Sequence, residues 1–593
     1  MATTTTRRER EINNIGTTAT DAPPPSSDRS FFGHPRGLST LFFTEMWERF
    51  SYYGLRPLLV LFMTAALANG GFGFERGQAS AIVGIYAACV YLASLPGGWV
   101  ADRLIGLRRA IQYGAILISA GHICIGLSAF ARGRVPFFLG LILIVLGTGL
   151  LKPNISAIVG DLYPEGGARR DAGFSIFYMG INLGAFAGQI ITGVLGEKVG
   201  WHWGFGAAGV GMLLGLIIYT VRARSTLGTM GLQITRHPDP AVQARQESRG
   251  KLTLAIGLAV LALVVVLAAT GVIPLDAQVI GRNMTYVMVG MAVAYFGYLF
   301  AAGGLSPDEK KRVAVIAVLF VFAAIFWSAF EQAPTSLNLF ARDFTDRLYD
   351  TSWIPSGLRV PFLALGALAL VAFVGSLIAL MTGRKGAPSA TVVIGLLIAA
   401  AVLLPIGALA GQAQFEAPAT WFQSINSLFI ILLAPAFAAL WVTMARRGGD
   451  LSSPAKFAFG LLLAGVGFVV MIIAANKVVA GGGLVKVSAW WLVWSYFFQT
   501  VGELALSPVG LSSMTKLSPR KYVGQMMGIW FLAAAVGNLI AGLVGGHVDP
   551  EKLDQMPRLF TMTTIFLMAA AVVLALLIVP IRRMMATTTE AKS

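Results

Sequence analysis

Four ionisable residues stand within twelve positions of an otherwise apolar stretch, Phe43-Thr-Glu45-Met-Trp-Glu48-Arg49-Phe-Ser-Tyr52-Tyr53-Gly54-Leu-Arg56. At 100° per residue, Glu45, Glu48, Arg49, Tyr52 and Arg56 fall within about a third of a helix circumference, one polar stripe on an apolar rod. Three more ionisable residues stand alone in apolar surroundings, each close to a proline: Lys152 beside Pro153, Glu331 near Pro334, and Glu503 in Gly502-Glu-Leu-Ala-Leu-Ser507-Pro508. A charge in hydrocarbon costs roughly 2.5–3.5 kcal/mol on the insertion scale, so it faces a partner or water. Proline removes a backbone donor and permits a helix break beside each group. The signs separate along the chain. Arg49, Arg56 and Lys152 lie in the first half, and Glu331 and Glu503 in the second, so ion pairs across the divide would form a charge-controlled gate. A cavity with both signs also suits a zwitterion.

The surrounding composition is that of a membrane protein. Of 593 residues, 56% are hydrophobic and 12% charged, against roughly 25% charged in soluble domains. Apolar stretches occur near 38–68, 78–101, 109–131, 135–158, 172–197 and 203–221, then 252–273 and 284–302, then 313–341, 358–382, 389–410, 419–445, 455–476, 488–514, 522–546 and 559–581. Each matches the ~20 residues that cross ~30 Å of hydrocarbon, so sixteen spans are expected. The net charge of +17 comes from basic loops rather than a nucleic-acid arm. Arg103, Arg108 and Arg109, then Arg169 and Arg170, then Arg222, Arg224, Arg236, Arg245, Arg249 and Lys251 sit in alternate connections, as do Arg384 and Lys385, and Arg446 and Arg447. These connections are expected in the cytoplasm, with both termini.

The expected organisation is a disordered tail at 1–36, a six-helix bundle at 37–221, a linker at 222–250, an inserted hairpin at 251–303, a second six-helix bundle at 304–583 with an inserted pair at 357–411, and a tail at 584–593. The first tail lacks the apolar core and cleavage site of a secretory signal.

Plainer readings accompany several residues. Glu45, Glu48 and Arg49 could neutralise one another as a buried network. Tryptophans in spans pack as often as they line pockets. His122 has no histidine neighbour and reads as a hydrogen-bonded core residue. Gly180, Gly184 and Gly188 read as close helix packing. Glu75 and Arg76 fall in an outside loop and read as solvated. Cys89 and Cys124 lie in apolar stretches, so no disulfide, metal site or redox cofactor is expected. No catalytic pair is spaced for chemistry, so an enzyme is not expected. Repeated pore rings are lacking too, against a channel. Charges beside helix breaks in a chain of two halves fit the midplane site of a secondary transporter.

These residues resemble a known family, the proton-coupled oligopeptide transporters, the peptide transporter branch of the major facilitator superfamily, bacterial type. Glu45-Met-Trp-Glu48-Arg49-Phe50-Ser-Tyr52-Tyr53 fits its E-x-x-E-R-F-x-Y-Y signature. Phe177-Tyr178-Met-Gly-Ile-Asn182-Leu-Gly184-Ala fits its fifth-span signature, and Gly98-Trp-Val-Ala-Asp102-Arg103 with Gly106, Arg108 and Arg109 looks like the wider superfamily's loop motif. The resemblance covers residues 37–583 apart from the inserted segments. It implies an all-α polytopic membrane protein, a major facilitator fold of two six-helix bundles with additional inserted transmembrane helices. It further implies a proton-coupled symporter importing di- and tripeptides by alternating access in the bacterial inner membrane, acting as a monomer with peptides, protons and lipid as its partners. A carrier of another small anion, such as nitrate, is the alternative on the same fold.

Carried over by position, the resemblance gives Arg49, Arg56 and Lys152 to the peptide carboxylate, with Tyr52, Tyr53 and Tyr91 shaping the site. Glu503, Asn182 and Asn426 take the amino end, with Ser507 also at the site. Trp327, Trp530 and Phe531 line side-chain pockets. Glu45, Glu48, Arg49 and Glu331 are the proton-coupling group. Arg56 with Glu331 resembles the outer gate, and Lys152 with Glu503 the inner one.

Overall fold

The computed structural model describes residues 28–585 except 132–133, 165–166, 235–237, 274–275, 383–387 and 448–450. The tails at 1–27 and 586–593, with Arg236, Arg384 and Lys385, lie outside the described residues. Every expected apolar stretch is helical. The first half holds α1 (Arg36–Thr64), α2 (Arg76–Val100), α3 (Leu107–Ala131), α4 (Arg134–Asp161), α5 (Gly167–Val194) and α6 (Trp201–Leu227). A hairpin of α7 (Pro240–Ala269) and α8 (Ala277–Ala302) follows. The second half opens with α9 (Pro307–Phe330) and its short continuation α10 (Asn338–Phe344), then a pair, α11 (Arg359–Thr382) and α12 (Ala390–Leu409). It closes with α13 (Trp421–Arg446), α14 (Ser453–Ala480), α15 (Trp490–Leu517), α16 (Val523–Val544), α17 (Gln555–Leu576) and α18 (Ile578–Met585). Among the described residues, thirteen helices are long and apolar enough to cross a bilayer. The equally long α1 and α15 carry the buried charges.

Local chemistry sets the helix starts. Ser306 and Glu309 form a capping box around Pro307, and Asp239 caps α7 ahead of Pro240, both favoured arrangements. That second cap moves a boundary. The expected linker at 222–250 is mostly helix, because α6 continues through Arg222 and Arg224 and α7 already carries Arg245 and Arg249. The first tail differs as well. Residues 28–36 fold onto the molecule: Phe31 is buried against Phe42 and Phe43, and His34 Nδ1 lies 2.8 Å from Tyr163 Oη.

Glycines bring α1 and α5 together. A Cβ at Gly184 would stand 2.0 Å from the Met46 carbonyl and one at Gly188 2.4 Å from that of Phe50, so only glycine permits this approach. Within the first half α3 packs on α4 and α1 on α6; within the second α14 packs on α15 and α17, and α9 on α16. The halves meet through α2 against α16 and α5 against α13. The hairpin lays α8 along α16 and α2, whereas α11 and α12 pack on each other and α11 touches α6. Two small β pairs tie the loops at one end: β1 (Thr345–Asp346) runs parallel to β4 (Val487–Ser488), and β2 (Leu348–Asp350) antiparallel to β3 (Gln414–Glu416).

Of the three breaks expected beside prolines, one occurs. After Phe330 the chain turns at Glu331, makes a π turn over Ala333–Leu337 and resumes as α10. Helices α4 and α15 instead run unbroken through Pro153 and Pro508. Near Pro153, Asn154 Nδ2 donates to the Leu150 carbonyl one turn back at 2.6 Å.

Candidate functional site

A cavity of about 160 Å³ lies between the halves. From the first half it is lined by Tyr53, Arg56, Tyr91 and Asn182, and from the second by Trp327, Glu331, Asn426 and Glu503. Arg56 is the centre of its upper wall. Its Nη2 donates to Glu331 Oε2 at 2.5 Å and to Asn538 Oδ1 at 2.6 Å, a tie between α1, the break after α9, and α16. The pair is buried, with side chains 8% and 6% exposed, so removing one partner strands a charge at a cost of about 3–5 kcal/mol. The break itself places Glu331: an uninterrupted helix would turn its carboxylate with the helical repeat, whereas the π turn is a feature that recurs at functional positions.

Lower on the wall, Asn426 Nδ2 donates to Glu503 Oε2 at 3.1 Å and to Thr500 Oγ1 at 3.0 Å, and Asn182 donates to the Tyr178 carbonyl. Trp327 packs edge-on against Phe326 and Phe330 while facing the cavity. Lys152 Nζ sits 4.3 Å over the Tyr91 ring, a cation held on an aromatic face, and Phe531 stacks on the same tyrosine at 6.4 Å. The expected inner pair of Lys152 with Glu503 is not made; Glu503 is held by Asn426 and Lys152 by Tyr91. The reason is conformational: the cross-half ties described below gather at the opposite end.

Beneath Lys152, Arg49 Nε lies 2.8 Å from Glu45 Oε1 and 2.6 Å from Glu48 Oε2, with all three side chains at most 3% exposed. Lys152 is close enough to act electrostatically on this cluster. Two carboxylates thus share one guanidinium, and Lys152 brings the group to charge balance. Tyr52 is buried, stacked on Tyr86 and edge-on to Tyr53. Trp530 and Ser507 are not among the lining residues: the indole packs on Phe457 and beside Gly510. His122 bonds Ser51 through Nε2, the core role expected of it.

Arg76 is not solvated. Its Nη1 lies 2.5 Å from Asp343 Oδ2 and donates to the Val548 carbonyl at 2.9 Å, and Asp549 is 3.8 Å from Nε. A second tie joins the turn after α5 to the start of α13. Glu197 accepts from the backbone of Ala419 at 2.8 Å and of Thr420 at 2.9 Å, and from Thr420 Oγ1 at 2.8 Å. Trp421 Nε1 donates to the Ile190 carbonyl, and Lys198 and Arg347 both hold Glu416 at 2.9 Å. All these contacts lie where α1, α5, α9 and α16 end and where α2 and α13 begin, so they close one mouth of the cleft. Asn538, Gln189, Gln423 and Tyr496 line or seal this site without having been anticipated; they are uncharged, and an uncharged polar residue in a span is a weak signal.

The chain matches the POT family model over residues 108–401 and 406–559. It is similar to the peptide transporter YePEPT of Yersinia enterocolitica, with 45% identity over 572 residues, 96% of this chain and 98% of that protein. The di-/tripeptide transporter of Lactococcus lactis subsp. lactis is 32% identical, covering 94% of this chain and 98% of its own length. Among solved structures, a peptide transporter POT in complex with sulfate superposes with a TM-score of 0.75 at 35% identity, covering 94% of this chain and 97% of that one. A POT family transporter in complex with 5-aminolevulinic acid gives 0.75 at 31% identity, covering 94% and 99%. With a major facilitator fold, a charged cavity between its halves and matches along almost its whole length, this multi-pass membrane protein belongs to the POT family.

Proposed function

We propose that the protein is a proton-coupled symporter that imports di- and tripeptides across the bacterial inner membrane, as a monomer with both termini in the cytoplasm. The observation that carries this reading is one enclosed cavity that draws a cation, Arg56, from one half and two carboxylates, Glu331 and Glu503, from the other. A peptide is a zwitterion with polar amides between its ends. Arg49, Arg56 and Lys152 recognise its carboxylate, and Glu503, Asn182 and Asn426 its ammonium. Tyr53, Tyr91 and Trp327 shape the room for side chains, with Tyr52 and Phe531 packed behind the tyrosines, while Trp530 and Ser507 stand back from the wall. The relatives' names, peptide and di-/tripeptide transporter, support this over nitrate or another small anion, for which two carboxylates in the wall are unfavourable.

The mechanism is a rocking of the halves, 37–221 against 304–583, around this cavity. In this conformation the outer mouth is shut by Arg56 and Glu331. Ionised Glu331 attracts Arg56 and holds the mouth closed; a proton on Glu331 removes the attraction and lets it open. Peptide then enters, the outer ties re-form, and Lys152 leaves Glu503 as the inner side opens. Glu45 and Glu48 share Arg49 with Lys152 nearby, so a proton taken by either carboxylate loosens its hold on Arg49 or Lys152 and frees that cation toward the peptide. One charge crossing 100 mV supplies about 2.3 kcal/mol, which drives useful accumulation.

The test is uptake of labelled dialanine into liposomes with and without an imposed pH gradient. Accumulation is expected only with the gradient, with competition from peptides and none from nitrate. Replacing Glu45 or Glu48 is expected to abolish accumulation and spare peptide exchange, and replacing Arg49, which also meets the peptide carboxylate, to abolish accumulation and weaken exchange. Accumulation retained in all three variants overturns the coupling assignment, and uptake indifferent to peptides overturns the substrate.

A further inference from the structure

Besides Arg56 Nε and Trp327 Nε1, three buried polar groups of cavity-lining residues have no hydrogen-bond partner among the described residues: Gln189 Oε1 on α5, Gln423 Nε2 on α13 and Tyr496 Oη on α15. Their side chains belong to residues 4%, 7% and 3% exposed. Buried polar groups are ordinarily satisfied, so three exceptions gathered on one wall call for an explanation. Neighbouring amides do not share the deficit, for Gln499 donates to Ser495 and Asn426 to Thr500 and Glu503.

Their positions form a layer. Gln189 follows Asn182 by two turns on α5, which runs toward the closed mouth; Gln423 and Tyr496 precede Asn426 and Glu503 on α13 and α15, which run away from it. At 1.5 Å per residue the layer lies roughly 5–10 Å outward of the Asn182, Asn426 and Glu503 level. One group comes from the first half and two from the second, so the layer is complete only when the halves close over what the cavity holds.

The chemistry of the layer is specific. Gln423 and Tyr496 offer N–H and O–H donors, and Gln189 offers a carbonyl acceptor. A primary carboxamide is the complement, its oxygen accepting from the two donors and its NH₂ donating to Gln189. An apolar side chain leaves all three unsatisfied. A carboxylate finds no cation among them, and an ammonium finds one good acceptor.

Resting on the reading of this cavity as a peptide site, we propose that Gln189, Gln423 and Tyr496 form a side-chain subsite that selects peptides whose amino-terminal residue is asparagine or glutamine. The amino-terminal residue is the one concerned because its side chain leaves one bond from the ammonium held at the Glu503 level. A site that binds an amide by hydrogen bonds discriminates strongly against the analogue that lacks them.

Competition against labelled dialanine uptake tests this. Asn-Ala and Gln-Ala are expected to compete roughly tenfold better than their near-isosteres Leu-Ala and Met-Ala, the discrimination of about one net hydrogen bond. In Gln423→Leu, and separately in Tyr496→Phe, the ratio is expected to fall toward one. The readout is a ratio within one protein and does not depend on the absolute rate; if Gln423→Leu fails to reach the membrane, Tyr496→Phe keeps the ring and its packing and decides the matter. Equal competition by amide and apolar peptides in the unsubstituted protein, or an undiminished ratio in Tyr496→Phe, overturns the subsite. A protein that does not take up dialanine at all overturns the transport reading instead, and the subsite with it.

Discussion

The Arg56 guanidinium is held from two sides, and only one of its partners is charged. Glu331 neutralises it, while Asn538 fixes its direction through Nη2 and is itself fixed by donating to the Ala534 carbonyl at 2.9 Å. Removing the amide leaves a buried charge one acceptor short, a cost of about 1–3 kcal/mol. Asn538→Leu is therefore expected to open the outer mouth several-fold more often without moving the charge count, read by thiol modification of a cysteine placed in the cleft. Unchanged modification would mean that Glu331 alone orients the arginine. Glu331 was legible in the sequence because a carboxylate in a span is expensive wherever it stands. Asn538, 482 residues from Arg56, was not, since an asparagine in an apolar helix is cheap enough to carry no message and only the fold brings the two together. Lys152 shows the converse: its cost in a span made it visible, but its seat on the Tyr91 ring rather than against Glu503 is set by the fold.

Helical stretches were legible throughout because hydrocarbon thickness dictates their length, and the glycines of α5 announced close packing, whose partner the structure gives as α1. Breaks and connections were harder, since proline marks three candidate breaks and only the one after α9 occurs. The turn after α5 was also opaque. Glu197 there accepts two backbone N–H groups just ahead of α13, acting as a helix cap supplied by the other half and meeting the positive end of the helix dipole. Glu197→Ala is expected to weaken this cap and raise outer opening, with crosslinking across that mouth falling accordingly; a wild-type opening frequency would discount the cap. The adjacent Glu416 behaves differently with pH. The Lys198 hydrogen bond, reinforced by Arg347, holds its carboxyl below the usual range. A depressed carboxylate stabilises its pairs above the ordinary value, about 4.3, and yields only as pH falls through the lower one. Glu416→Gln is therefore expected to leave the pH profile of uptake between about 5 and 8 in place, whereas Glu331→Gln shifts it. A displaced profile in Glu416→Gln would bring this outer pair into the coupling.

At the scale of the whole molecule, the question is whether the halves separate where these ties hold them. The extra pair α11 and α12 hangs from the second half yet leans on the first, Trp47 meeting Phe373 at 6.3 Å. Beside that contact is an apolar cavity of about 340 Å³ lined by Met46, Val210 and Leu370 among others. The pair thus touches the first half lightly, through α11 on α6 and on Trp47. The seam between α5 and α13 is tighter. A Cβ built on Gly193 stands 3.4 Å from Thr420 Cβ, close to the Cβ separation of a disulfide, and replacing Thr420 also removes the hydroxyl that would obstruct it. In a protein whose Cys89 and Cys124 have been replaced, Gly193→Cys with Thr420→Cys is expected to form a disulfide on oxidation that pins the outer mouth. Uptake should then stop and return on reduction, while each single variant is indifferent to oxidant. Rocking requires this outcome, because Gly193 and Thr420 belong to opposite halves and cannot remain in contact while a peptide enters between them. Full uptake by the oxidised double variant would confine the motion to side chains inside the cavity and leave the halves stationary.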